Sequence, residues 1–227
     1  MPTCGTVVES TVFKIGADMV SEKEFPELQG IEQVSSGWLN KYILKFRLPN
    51  GRDYQYEAVS RKPLDVYKTE LETPGPVEPQ VDAVCIVGFT AEGSFLLIKE
   101  FRFPMNRECI AFPAGLRDAG ETVEECASRE LREETGYDLA RNADGTPVHI
   151  HSFVQPGFSS LGMGDESIAM VFAQVEKVGE PRAESTEFIE VFELPRADIA
   201  QFLHENRAPL SIRAQLVLEM VACDPFA

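Results

Sequence analysis

Long apolar runs are missing from this sequence. No segment approaches the roughly 18 to 20 uninterrupted apolar residues of a membrane span, and the opening MPTCGTVVES has neither the basic start nor the apolar stretch of a secretory leader. Positive charge is scarce as well. Lys and Arg number 21 against 37 Asp and Glu, a net charge of −16, and such a surface repels nucleic-acid backbones and anionic membranes. That balance argues against a nucleic-acid or membrane partner and for a small-molecule one. A small anion, too, would need local arginines or bound cations to reverse the sign where it docks. Cysteines are few, odd in number and scattered (Cys4, Cys85, Cys109, Cys126, Cys223), with no C-x-x-C pair, so we expect reduced thiols and a cytoplasmic location. No histidine or basic cluster stands beside them to activate a nucleophile. The three histidines, His149, His151 and His204, offer no third ligand at metal spacing and read as ordinary structural residues.

What is present is the balance of a globular protein, 44% hydrophobic and 26% charged. Between Val34 and Ser60, strand-like runs flank the turn Pro49-Asn50-Gly51, which predicts a hairpin in a small β layer. Pro74, Pro76 and Pro79 around Gly75 suit an extended connection, so a boundary is expected near residue 76, with an N-terminal β domain over 1–76 and a larger domain over 77–227. In the second part, VDAVCIVGF, SFLLIKEFRF, ECIAF, VHIHSF, SIAMVFAQV and FIEVFELP read as strands. The tail from Arg196 to Cys223 reads as helix interrupted at Pro209. The expected class is α+β, a mixed sheet with helices packed on it.

The stretch GLRDAGETVEECASRELREETGY, from Gly115, predicts a glycine-containing loop to Glu121 and then a helix over Val123–Glu134, capped by Thr122 and stopped by Gly136. At about 100° per residue, Glu130 and Glu134 share a face with Val123, Cys126 and Ala127, Glu133 lies on the flank, and Glu125, Arg129 and Arg132 point outward. A charged helix is ordinarily a solvated face laced with ion pairs. Here two carboxylates continue the apolar stripe, where they need a cation or strong hydrogen bonds to stay ionised. Carboxylates one turn apart form a hard-oxygen site suited to Mg²⁺ or Mn²⁺.

The same stretch fits the pattern G-x5-E-x7-R-E-U-x-E-E-x-G-U, with U a bulky aliphatic, at Gly115, Glu121, Arg129, Glu130, Leu131, Glu133, Glu134 and Gly136. Its seven fixed letters would coincide by chance on the order of once in 10^8 starting positions. On this motif the chain resembles the Nudix hydrolases, with Tyr137 the one departure inside it. FRFPMNRECIAFPAG, QPGFSS and TEFIEVFELP are similar to the ADP-ribose and ADP-sugar pyrophosphatase branch. Departures from that branch are Phe103 at a usual proline and extra residues around Arg141 to Pro147 and Leu161 to Asp165.

The resemblance implies a Nudix α/β/α sandwich behind a small N-terminal β sheet, and Mg²⁺-dependent hydrolysis of ADP-ribose or related ADP-sugars to AMP and a sugar phosphate. It also implies that Glu130 and Glu134 ligate metal, with Glu133 assisting and the Ala114 carbonyl completing the site, while Gly115, Glu121, Arg129 and Gly136 are structural. A base is expected from a distant loop: Glu187 by the family match, with Glu166 as its rival. Trp38 and Tyr56, read as facing each other across the hairpin, match positions that stack on adenine from two subunits, implying a homodimer. Arg61 and Arg102 match positions that contact the phosphates. Alternatives are another nucleoside diphosphate derivative, such as an oxidised nucleotide, NADH or a capped nucleotide, and a non-catalytic sensor that binds ADP-ribose.

Overall fold

A computed structural model describes residues 24–73 and 80–223. The expected boundary near residue 76 lies outside the described residues. Strands β1 (Glu27–Ser35), β2 (Asn40–Arg47) and β3 (Asp53–Ser60) form an antiparallel sheet, and helix α1 (Leu64–Glu72) packs beside it. The turn predicted at Pro49-Asn50-Gly51 joins β2 to β3, Gly51 taking the left-handed φ of 79° that a tight hairpin asks for. Tyr42, Leu44, Ala58 and Tyr67 make a small core of their own. β1 and α1 were not predicted, because ELQGIEQVS and LDVYKTELE are mostly polar and bury little.

The larger sheet is built from β4 (Ala83–Phe89), β5 (Phe95–Arg102), β6 (Arg107–Ala111), β7 (Ala114–Leu116), β8 (Tyr137–Leu139), β9 (Ile150–Ser152), β10 (Gly157–Phe158), β11 (Ser167–Lys177) and β12 (Ile189–Leu194). Its spine runs β10-β11-β4-β5-β12, with β11 and β4 parallel and the other pairs antiparallel. β4 and β5 touch only at Phe89 and Phe95, next to the turn that joins them. Beyond that point they diverge: β6 pairs with β5 and β7 with β4. This split opens a cleft between the two arms.

Helix α2 (Val123–Glu130) covers one face through Cys126 and Ala127, together with Leu131 just beyond it, against Val84, Ile86 and Val171. Helices α3 (Ile199–Glu205) and α4 (Ile212–Cys223) cover the other through Ile199, Ala214 and Leu218, against Cys85, Val87 and Leu97. Alternation along β4 sends Val84 and Ile86 to the first core and Cys85 and Val87 to the second, which is why this strand is apolar throughout. The result is the expected α/β/α sandwich. None of the described helices is long and apolar enough to cross a membrane.

The expected loop at Gly115 begins instead as the short strand β7. The predicted helix start is a reciprocal capping box: the Thr122 hydroxyl accepts from Glu125 N–H at 3.2 Å, and the Glu125 carboxylate accepts from Thr122 N–H at 2.8 Å. Its end differs from expectation. The α-helix stops at Glu130 and continues as one π turn over Leu131–Thr135, where the Thr135 hydroxyl donates to the Leu131 carbonyl. Gly136 then takes a left-handed φ of 73°, and a Cβ there would come closer than 3.0 Å to the Gly179 carbonyl oxygen.

Candidate active site

Behind β7 stand the two carboxylates that the helix pattern singled out. Glu130 is 8% exposed and Glu134 5% exposed. The Ala114 amide donates to Glu134 Oε2 at 3.1 Å, tying β7 to the helix. A Cβ on Gly115 would overlap the whole Glu130 carboxyl group, closer than 3.0 Å to its carbon and both oxygens. Only glycine leaves that carboxylate room to lie flat against the strand. Burial, the Glu130 charge and more distant Glu100 and Glu187 push the Glu134 carboxyl up to about 9, against one opposing hydrogen bond from Ala114. Glu130 is also raised, chiefly by burial, although Arg129 opposes the rise.

Arg129 organises the rest of the motif. Its guanidinium donates to both oxygens of Glu121 at 2.9 Å, to the Leu116 carbonyl at 2.9 Å, to Glu130 Oε1 at 2.7 Å and to Glu133 Oε2 at 3.2 Å. The outward orientation expected for it is therefore corrected. Its long side chain folds back under the loop, where five donors find fixed acceptors. These bonds hold Glu121 down at about 2. Glu125 and Arg132 do face out, the latter paired with Asp138 at 2.9 Å.

Among the described residues, no three Asp, Glu, His or Cys side chains are already gathered as a metal-binding group. The reason is visible in the bonds above: Arg129 occupies an oxygen each of Glu130 and Glu133, and Ala114 one of Glu134. The donor set nonetheless fits a hard divalent cation. Two buried carboxyls sit one turn apart, and the charge of one raises the other, so a bound cation is what would let both ionise.

The cleft in front of β7 has a volume of about 550 Å³ and is lined by residues of both sheet arms, by Arg61 just after β3 and by the C-terminal segment. Arg61, Arg102, Arg213, Glu100 and Glu166 line it. Arg102 holds Glu100 through both oxygens at 2.8 and 2.9 Å. Arg61 holds Glu166 at 2.8 and 3.1 Å and lies over the Trp38 ring at 5.2 Å. Glu166 is thus a paired carboxylate rather than the solvated loop residue that its surroundings in sequence suggest. Glu187 is not part of the cleft wall. It lies near enough for its charge to raise both Glu130 and Glu134, and its Oε2 accepts from Glu184 N–H at 2.9 Å.

Trp38 and Tyr56 do not face each other across the hairpin. Trp38 sits in the β1–β2 connection beyond Asn40, whereas Tyr56 pairs with Leu44, four strand residues or roughly 13 Å farther along β2. Trp38 is 77% exposed. The Tyr56 hydroxyl donates to the Gly162 carbonyl at 2.7 Å. That contact belongs to a seam in which the loop before β11 docks on β3, with Val59 N–H donating to Met163 C=O at 2.8 Å and Asp165 accepting from Ser60 and Lys62. Residues that sequence reasoning missed are Glu100 and Arg213: one lies in an ordinary-looking strand, the other at the start of α4, far along the chain from the strands that wall the cleft, and neither carries a local signal.

The four described cysteines are free. Burial pushes the thiols of Cys85 and Cys126 up to about 11 and 12, which leaves them protonated and without nucleophilic character.

Comparison with known proteins agrees with this geometry. The NUDIX domain model matches residues 79–214, more than half of the chain. An ADP-ribose pyrophosphatase of Bacillus subtilis is 32% identical over 178 residues, covering 77% of this chain and 81% of its own length. A methanol dehydrogenase activator of Bacillus methanolicus is 27% identical over 179 residues, covering 78% and 82%. A solved structure described as an ADP compounds hydrolase superposes with a TM-score of 0.64 at 20% identity, covering 87% of this chain and 92% of that one, which shows the shared fold. With its glycine-cradled Glu130, its arginine brace and this breadth of likeness, the chain belongs to the Nudix family.

Proposed function

We propose that this protein hydrolyses the diphosphate bond of ADP-ribose or a related ADP-sugar, releasing AMP and a sugar phosphate, with Mg²⁺ as the divalent ion. The observation that carries the reading is a pair of buried carboxylates, Glu130 and Glu134, set against the glycine-built wall of a cleft lined by arginines. Glu130 and Glu134 would hold the ion, with Glu133 and the Ala114 carbonyl beside them. Bound there, it would neutralise diphosphate oxygens and acidify a water. Arg61 and Arg102 orient the diphosphate, each able to exchange its carboxylate partner for phosphate. Glu187 is the proton acceptor in this reading, supported by its electrostatic reach to the pair, whereas both hydrogen bonds from the Arg61 guanidinium fall on Glu166 Oε1 and engage it elsewhere. Gly115, Glu121, Arg129 and Gly136 shape the frame.

The test is direct. Purified protein with ADP-ribose and Mg²⁺ yields AMP and ribose 5-phosphate; no AMP at any divalent-metal concentration would sink the proposal. Run on Glu187→Gln and Glu166→Gln, the same assay assigns the base, and a larger loss of kcat in the second would transfer the role to Glu166. A panel that includes NADH and oxidised nucleotides checks the alternative substrates, and kcat/KM for one of them far above that for ADP-ribose would displace the ADP-sugar assignment.

Trp38, whose ring backs on Arg61 and is otherwise exposed, supports an adenine-stacking role, and its distance from Tyr56 supports a clamp completed by the Tyr56 of a second copy. The protein is accordingly a cytoplasmic homodimer in this proposal. Light scattering should give twice the chain mass of 25.2 kDa; a fully active monomer would contradict the shared clamp.

A further inference from the structure

Three arginines line the cleft, and two of them are already matched: Arg61 by Glu166 and Arg102 by Glu100. The third, Arg213, has no carboxylate within ion-pair distance among the described residues, in a chain whose net charge is −16. It is half-buried, and the Cys85 thiol lies within reach of its guanidinium. A protonated thiol is a weak acceptor and cannot occupy a guanidinium with five N–H donors. Donors are therefore left over, and the cavity is the place they can be used.

The backbone around Arg213 is held by the cleft itself. Ile110 of β6 donates to the Pro209 carbonyl at 2.8 Å and accepts from Ser211 N–H at 2.8 Å, so the segment leading into α4 is pinned to the wall by a single parallel bridge at Leu210. The Ser211 hydroxyl then accepts from Ala214 N–H at 3.2 Å, closing the first turn around Arg213. Cys85 belongs to the core under α3 and α4, so Arg213 approaches from the face opposite the one that carries Glu130 and Glu134. An anion in the cleft would have carboxylates with their cation on one side and an unmatched guanidinium on the other.

We propose that Arg213 is a substrate-binding residue of this cleft, its guanidinium fork holding phosphate oxygens of the diphosphate from the side away from Glu130 and Glu134. A planar fork suits two phosphate oxygens at once, which a lysine ammonium does not reproduce. Because its position is set by β6, little ordering is needed on binding. This assignment rests on the diphosphate-hydrolase reading for its substrate, and anion binding tests it separately from turnover.

The experiment uses the full chain and the variants Arg213→Gln and Arg213→Lys, each checked for folding by thermal melting. With ADP-ribose and Mg²⁺, Arg213→Gln raises KM by about tenfold or more while kcat changes less, and Arg213→Lys falls between. Calorimetric binding of inorganic pyrophosphate, with and without Mg²⁺, weakens by a similar factor in Arg213→Gln. A loss of stability with KM and pyrophosphate affinity both within twofold of the parent would overturn the proposal, leaving Arg213 a packing residue. Should the glutamine variant not fold, Arg213→Lys decides: unchanged KM and pyrophosphate affinity overturn the fork, and a several-fold loss supports it. If wild type binds pyrophosphate through Arg213 but forms no AMP, the anion site stands and the hydrolase reading fails.

Discussion

Glu134→Gln lowers turnover of ADP-ribose by roughly three orders of magnitude and, in metal-free protein at about pH 8, raises the melting temperature. Both effects come from one cause. The carboxyl is buried beside Glu130, and its proton is held in the fold up to about pH 9 instead of the ordinary 4.5. Between those values the folded state binds more protons than the unfolded chain, so stability falls as pH rises. The contribution is complete below about 4.5 and is lost as pH climbs through 9. A glutamine carries no charge to bury, so the variant escapes that loss while keeping an amide oxygen able to accept from Ala114 N–H. It cannot supply the anionic oxygen that a divalent ion requires, and metal positioning carries much of the transition-state stabilisation in phosphoryl chemistry. Melting curves in EDTA between about pH 5 and 9, with and without added Mg²⁺, check the claim. The parent should lose stability across that range and recover it with Mg²⁺, most strongly at the alkaline end. A variant melting below the parent at every pH would show that the carboxylate, not the carboxylic acid, stabilises the empty site.

Gly115→Ala is the second large effect, and it separates activity from stability. The added methyl overlaps the Glu130 carboxyl group, which is the far end of a side chain and can swing away. The fold then tolerates the exchange with a small change in melting temperature, while Glu130 leaves its place against β7. A misplacement on the order of 1 Å can cost about a hundredfold in rate, and here a proposed ligand is displaced by more than that. We expect kcat to fall by roughly 10²-fold or more and the Mg²⁺ concentration for half-maximal rate to rise. Gly136→Ala is the contrasting control: its methyl would meet the Gly179 backbone at a left-handed φ, so stability drops instead. Near-parental kcat in Gly115→Ala would mean that Glu130 does not work from the position seen here.

Much of this site is legible along the chain because it is local. Thr122, Glu125 and Gly136 bound a helix by capping chemistry that acts within three or four residues, and Glu130 and Glu134 reveal their inward face by interrupting an apolar stripe with charge. Their shared face survives the unforeseen π turn. Arg129 was misplaced by the same arithmetic, since a helical wheel gives the direction of a Cβ and not the path of a long side chain.

What the chain determines by itself, then, is whatever depends on neighbours in sequence: the caps, the strand alternation, the spacing of box residues and the overall negative charge. Tertiary structure decided the rest. The divergence of β4 from β5 makes the cleft, the docking of the loop before β11 on β3 brings Glu166 to Arg61 from 105 residues away, and the pairing of residues 209–211 with Ile110 delivers Arg213. The last two join residues far apart in the chain through backbone pairing and packing, and no periodicity records such a contact. Whether a charged side chain is matched, as Arg61 and Arg102 are, or left without a carboxylate among the described residues, as Arg213 is, depends on which acids the fold brings within a few ångströms, and only the folded chain sets that distance.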